Sequence, residues 1–227
     1  MNPILVAHGT RKGSGVAMIN DLAGQVGELL GREVHTAFVD VLGPTPADVL
    51  AALPFGPAVV VPAFLSSGYH VHVDIPAGIA ASGHFDVTVT PALGPSVEIV
   101  RVLADRLLES GWQPTDSVVL GAAGTSDPRA LSDLRRTAAM LSAALGSRVE
   151  LAYAINGSHW IGDAVAALRG RGARRVMVAS YLLADGLFQD RLQSSGADLV
   201  TAPLGGHPGV AKLIASRFRL ARVSLAA

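Results

Sequence analysis

A βα pattern that runs its course and then begins again constrains this chain more than any other feature. Short apolar runs alternate with longer amphipathic ones. Residues 4–7 are predicted as a strand, 16–30 as a helix stopped at Gly31, and 34–39 as a second strand. Residues 46–53 follow as a short helix with Pro46 in its first turn, and 58–61 and 87–89 as strands. A helix over 95–108 closes this first series before Gly111. The second series predicts strands at 118–122, 149–154 and 176–179 and helices at 127–145, 159–168 and 208–222. Strands that are apolar throughout, separated by helices, call for parallel βαβ units with both faces of the sheet covered.

The two series align. His8-Gly9-Thr10 matches Ala123-Gly124-Thr125, and Ala37-Phe38 matches Ala152-Tyr153 at the same offset. Leu65-Ser66-Ser67-Gly68 matches Leu183-Ala184-Asp185-Gly186, and Val89-Thr90 with Leu93-Gly94 matches Val200-Thr201 with Leu204-Gly205. The expected fold class is therefore α/β: two similar Rossmann-like or flavodoxin-like domains related by internal duplication. Their parallel sheets are flanked by helices. The join is Ser110-Gly111-Trp112-Gln113-Pro114, so the halves are 1–112 and 113–227.

The copies differ where chemistry needs polarity. His8 stands against Ala123, Asp40 against Ile155, and His70 against Phe188. The glycines beside these positions persist while the polar groups do not, as expected when a fold is retained and its chemistry is not. The first half is thus the active half, and the second a wall or lid. His8, Asp40 and His70 all fall at or just after the carboxyl ends of predicted strands, where open parallel sheets bind ligands. Two imidazoles and a carboxylate suit a borderline divalent ion such as Fe²⁺, Co²⁺ or Ni²⁺. Asp74, four residues beyond His70, is placed to orient its ring. The other histidines, His35, His84, His159 and His207, read as surface or loop residues, and His72 follows His70 without an assigned role. The glycine-rich run Gly9-Thr10-Arg11-Lys12-Gly13-Ser14-Gly15 before a helix offers backbone N–H groups and two cations to an anion.

Composition narrows the classes. The chain has 227 residues, 50% of them hydrophobic, and Lys plus Arg balance Asp plus Glu at 18 each. Such a balance gives no global attraction to nucleic acid or to an anionic membrane. Cysteine is absent, which excludes disulfides, thiolate zinc sites and cysteine-ligated iron–sulfur clusters. No apolar run reaches the ~18 residues of a membrane span, and no signal-peptide pattern opens the chain, so a cytoplasmic location is expected.

Leu5-Val6-Ala7-His8-Gly9-Thr10-Arg11 resembles the opening motif of class II sirohydrochlorin chelatases of the CbiX/SirB type. The stretch Val61-Pro62-Ala63-Phe64-Leu65-Ser66-Ser67-Gly68-Tyr69-His70-Val71-His72-Val73-Asp74-Ile75-Pro76 is similar to that family's second, longer motif. Ala92-Leu93-Gly94-Pro95 resembles a further turn. The likeness covers the chain end to end, as in two-half members with a degenerate second copy. It implies that His8 and His70 contact the metal and act in catalysis, and that Asp40 stands where the family carries Glu. It also implies insertion of a divalent metal into sirohydrochlorin, with no organic cofactor; the same ligands suit Fe²⁺ and Co²⁺, and the lack of an accessory domain favours Fe²⁺, with Co²⁺ next. Thr10, Arg11, Lys12, Ser66, Ser67, Gly68 and Tyr69 are the expected substrate-binding set, with backbone N–H groups near Ser66 and Ser67 gripping carboxylates. The implied partner is the tetrapyrrole, with no nucleic acid or membrane, and a monomer and a homodimer are both compatible. A non-catalytic tetrapyrrole or metal carrier on the same fold is the alternative. A nucleotide-binding Rossmann-like enzyme would use Asp40 on a ribose. A histidine phosphatase would need Arg where Ala7 stands.

Overall fold

The computed structural model describes residues 1–155 and 159–226, with side chains described as far as residue 221. The first series contains β1 (Asn2–Ala7), α1 (Gly13–Leu30), β2 (His35–Phe38), α2 (Pro46–Ala52) and β3 (Ala58–Pro62). A π-helical turn (His70–Asp74) then runs into α3 (Ile75–Ser82), followed by β4 (Val87–Val89) and α4 (Val97–Glu109). The second contains β5 (Ser117–Ala122), α5 (Pro128–Leu145), β6 (Val149–Tyr153), α6 (Ile161–Gly170), β7 (Val176–Tyr181), α7 (Leu187–Gln193), β8 (Leu199–Val200) and α8 (Pro208–Ala226).

Each series builds a four-stranded parallel sheet. The orders are β2-β1-β3-β4 and β6-β5-β7-β8, the same topology twice. The turn after the first strand is also repeated: Gly9 has φ 101° and Gly124 has φ 107°, a region open to glycine and strained for other residues. The expected α/β duplication is the observed architecture.

Alternation along the strands sorts side chains between cores. Ile4, Val6, Ala58 and Val60 face an outer cluster with Val49, Leu50 and Ile75, under α2 and α3. Val119, Val176 and Val178 face the equivalent outer cluster with Ile161, Val165 and Leu192, under α6 and α7. The opposite faces meet in one shared core. It contains Leu5 and Val59 of the first sheet, Leu120 and Met177 of the second, and buried residues of α1, α4, α5 and α8.

The last helix of each series crosses over. α8 packs on α1 and β3 of the first series, and α4 packs on α5 and β7 of the second. The boundary near residue 112 is therefore one of sequence; in space each series is roofed by the other's final helix.

Several expectations need correction. α1 starts at Gly13, with Lys12 as its N-cap, so Gly13 and Gly15 belong to the helix and not to an open glycine loop. α3 and α7 are helices that the sequence reading passed over. α3 (IPAGIAAS) is nearly apolar all round, and α7 has seven residues, so neither carries a helical period to read. His84 lies in a loop, as expected, but is buried, and neither of its ring nitrogens has a hydrogen-bond partner.

Candidate active site

β1 and β3 are neighbours, so the chain leaves their carboxyl ends side by side. His8 follows β1 directly. His70 arrives after an irregular segment, residues 63–68, and opens the π-helical turn. The two rings meet with centroids 4.6 Å apart and planes at 84°, edge to face. Residues sixty-two positions apart in the sequence thus come together at neighbouring strand ends.

Hydrogen bonding orients both imidazoles. His70 Nδ1 lies 2.5 Å from Asp74 Oδ2. The turn closes with Ile75 N–H donating to His70 O, a five-residue step that brings 70 and 74 to the same side of the backbone. His8 Nδ1 lies 3.2 Å from Gly9 O. With Nδ1–H donated in each case, Nε2 of each ring keeps its lone pair. Phe64 stacks on His70 at 5.9 Å, and Tyr69 meets it edge-on at 6.1 Å. The sequence reading gave Phe64 no role; an aromatic residue six positions before His70 was the available signal.

A cavity of about 690 Å³ opens beside His8, between the halves; His70, behind His8, does not line it. His8, Thr10, Arg11, Lys12 and Ser66 line it from the first half. Ala123, Thr125, Ala184 and Phe188, their counterparts or neighbours in the second copy, line it from the other side. Its surface is mainly apolar, and Arg11 is exposed on its rim. Ser67, Gly68 and Tyr69 do not line the cavity. Tyr69 is exposed, and Gly68 lies against Ala130 of α5.

Two expected ligand groups are already engaged. The Ser67 N–H donates to Asp133 Oδ2 at 2.8 Å, so it is not available to grip a substrate carboxylate. Lys12 Nζ lies 2.6 Å from Asp190 Oδ1, an exposed pair that joins the two halves across the loop before α1. Asp40 is also occupied locally. Its carboxylate accepts from the Val41 N–H at 2.7 Å, and its carbonyl accepts from Leu42 N–H at 2.9 Å. Val41, with φ 73°, is the centre of this γ-turn, a conformation that costs a branched residue about 1–3 kcal/mol. The Asp40 carbonyl also fills the space a Cβ at Gly9 would need, which is why position 9 admits only glycine. Among the described residues no group of three or more His, Asp or Glu is placed to hold a metal ion, so Asp40 does not complete a three-ligand set with the imidazoles.

The family model named CbiX matches residues 2–110 and again 117–221, two successive copies covering nearly all of the sequence. The chain belongs to the CbiX family. The two matches leave residues 111–116 between them. Among solved structures, SirB from Bacillus subtilis with Fe³⁺ aligns over 96% of this chain and 95% of its own, with TM-score 0.80 at 20% identity. SirB from Bacillus subtilis subspecies spizizenii, a sirohydrochlorin chelatase in complex with cobalt, aligns over 96% and 94%, with TM-score 0.78 at 20% identity. CbiX described as the terminal enzyme for biosynthesis of siroheme in denitrifying bacteria aligns over 97% and 99%, with TM-score 0.72 at 21% identity. No curated protein matches the sequence. At these identities the structures establish the shared fold of this CbiX-family chain. No described helix is long and apolar enough to cross a membrane.

Proposed function

We propose that this chain is a sirohydrochlorin chelatase, inserting a divalent metal into the tetrapyrrole, with Fe²⁺ favoured and Co²⁺ next. The observation that carries this reading is the His8–His70 pair, 4.6 Å between ring centroids, with His8 lining a cleft between the two halves. Membership of the CbiX family supports it, and so do fold neighbours that hold Fe³⁺ or cobalt.

The chemistry required is threefold. The metal must lose water, the macrocycle must be held, and two pyrrolic protons must be accepted. Two imidazoles whose Nδ1 atoms are held by the protein can ligate the ion through Nε2 and then receive protons as the ion passes to the ring. Two protein ligands leave the remaining coordination positions to water and to the incoming ring nitrogens. The apolar cavity wall suits the faces of a flat macrocycle, and Arg11 on the rim suits its peripheral carboxylates. Asp40, committed to its own turn, shapes the Gly9 approach and contributes negative charge nearby.

The test is anaerobic absorbance spectroscopy of sirohydrochlorin with Fe²⁺, Co²⁺ and Ni²⁺ in turn, with and without the protein. Accelerated formation of the metallated ring with Fe²⁺ or Co²⁺ is expected. Binding of the tetrapyrrole with no acceleration over spontaneous insertion would make the chain a carrier.

Asp74 supplies a separate prediction. A carboxylate behind a metal-ligating histidine fixes its tautomer and raises its basicity, and its loss costs about 10–100-fold in metal affinity or activity. Asp74→Ala should weaken Co²⁺ binding by that factor in a titration followed by visible absorbance. A change of less than about threefold would remove Asp74 from the metal chemistry.

A further inference from the structure

The second half does more than wall the cleft. Residues 63–68, which deliver His70, have no regular structure of their own. Within the first half, this segment is tied near its start, by Ala63 N–H donating to Val6 O and Leu93 N–H donating to Phe64 O. At its end, Gly68 O accepts from the Val71 and His72 N–H groups of the π-helical turn; between these points, at Leu65 and Ser67, the second half supplies the partners. The Tyr181 hydroxyl donates to Leu65 O at 2.7 Å, and Asp133 accepts from the Ser67 N–H at 2.8 Å. The Tyr181 hydroxyl also lies 3.1 Å from Thr137 Oγ1, whose hydroxyl donates to Asp133 O. Tyr181 and Thr137 are buried, and burial pushes the Tyr181 phenol far above its ordinary range, so it remains a donor.

The repeat gives these contacts meaning. α1 and α5 are both 18 residues long, so Asp133 and Thr137 stand where the first copy has Met18 and Leu22. Tyr181, paired with Ala122 in the sheet, stands where the first copy has Ala63. The first copy carries His8, Asp40 and His70, and the second carries two polar residues bonded to the segment bearing His70, with Thr137 behind them. The second copy's own segment is held differently: Leu183 O, the counterpart of Leu65 O, accepts from Gly205 N–H within its own half at 2.8 Å. Position 94, the counterpart of 205, must be glycine because a Cβ there would run into both Leu65 O and the Tyr181 hydroxyl.

We propose that Tyr181 and Asp133, supported by Thr137, are positioning residues: they clamp residues 65–67 from the second half so that the His70 ring faces His8. The inference rests on reading that histidine pair as the metal-contacting site. Misplacement of a reacting group by ~1 Å costs up to ~100-fold in rate, and the clamp sits three to five residues from His70.

The test uses the full chain with sirohydrochlorin and Co²⁺. Tyr181→Phe and Asp133→Ala should each lower kcat about tenfold, with KM for the tetrapyrrole changed less than about twofold. Asp133→Asn, which keeps an oxygen acceptor for the Ser67 N–H, should restore most of the loss. Ring ¹⁵N resonances of His70 should move in Tyr181→Phe while those of His35 stay, a readout independent of turnover. Wild-type kcat, Co²⁺ affinity and His70 resonances in both variants, alongside an inactive His70→Ala, would overturn the clamp and leave the chelatase reading standing. A fully active His70→Ala would overturn the histidine pair itself, and the clamp with it.

Discussion

Replacing His70 or His8 by Ala is expected to lower the rate of metal insertion into sirohydrochlorin by about two to four orders of magnitude, the range set by loss of a positioned acid–base group. Each ring is proposed to serve twice, as ligand to the incoming ion and as acceptor of a pyrrolic proton. Removing either leaves one imidazole to do both, with the ion free to leave. The double variant should be little worse than the singles, because groups that act as a unit are not additive. Folding should be almost untouched: the His70 side chain is 32% exposed, and its main partner is a carboxylate that is itself partly solvated. The measurement is initial rate by absorbance under anaerobic conditions, with melting temperatures in parallel. Rates within about threefold of wild type in both single variants would leave the pair without a role in the chemistry.

Phe218→Ala should destabilise the protein by about 3–5 kcal/mol, the cost of emptying a large buried site that cannot fully collapse. Phe218 is fully buried in the shared core. It lies on α8, which belongs to the second series by sequence and covers the first sheet in space. The loss should therefore appear in urea as one transition shifted to lower denaturant, with the slope unchanged. Two separate transitions, one of them unmoved, would mean that the halves fold as independent units and that the shared core is not cooperative.

Much of this molecule is legible in its sequence because two periodicities carry the information. The βα alternation gives the sheets, and the repeat gives the positions at which polarity is lost. Together they place His8 and His70 at neighbouring strand ends without any knowledge of coordinates. Asp74 is legible for the same local reason: a helical spacing from His70 needs only one turn of backbone. Much of what escapes is long-range. Ser67 reads as a free backbone donor because its partner, Asp133, lies in the other copy, and no local pattern links them. Lys12 reads as a free cation for the same reason, its partner Asp190 being 178 residues away. Asp40 reads as a ligand because its residue type fits one, whereas the backbone of the turn it closes takes its carboxylate first. The exchange of α4 and α8 is invisible to a pattern that is the same in both halves, since either helix satisfies either sheet by amphipathicity alone.

That exchange decides how the cleft can move. A two-lobed binding protein usually admits its ligand by swinging one lobe away from the other about a flexible link. Here such a swing would pull α8 off the first sheet and α4 off the second, exposing apolar surface on both at once. The lobes are latched, so the width of the slot is set when the chain folds. Entry and exit of the proposed planar substrate would then fall to the rim, above all to the residues joined by the exposed Lys12–Asp190 contact, which water and salt can loosen.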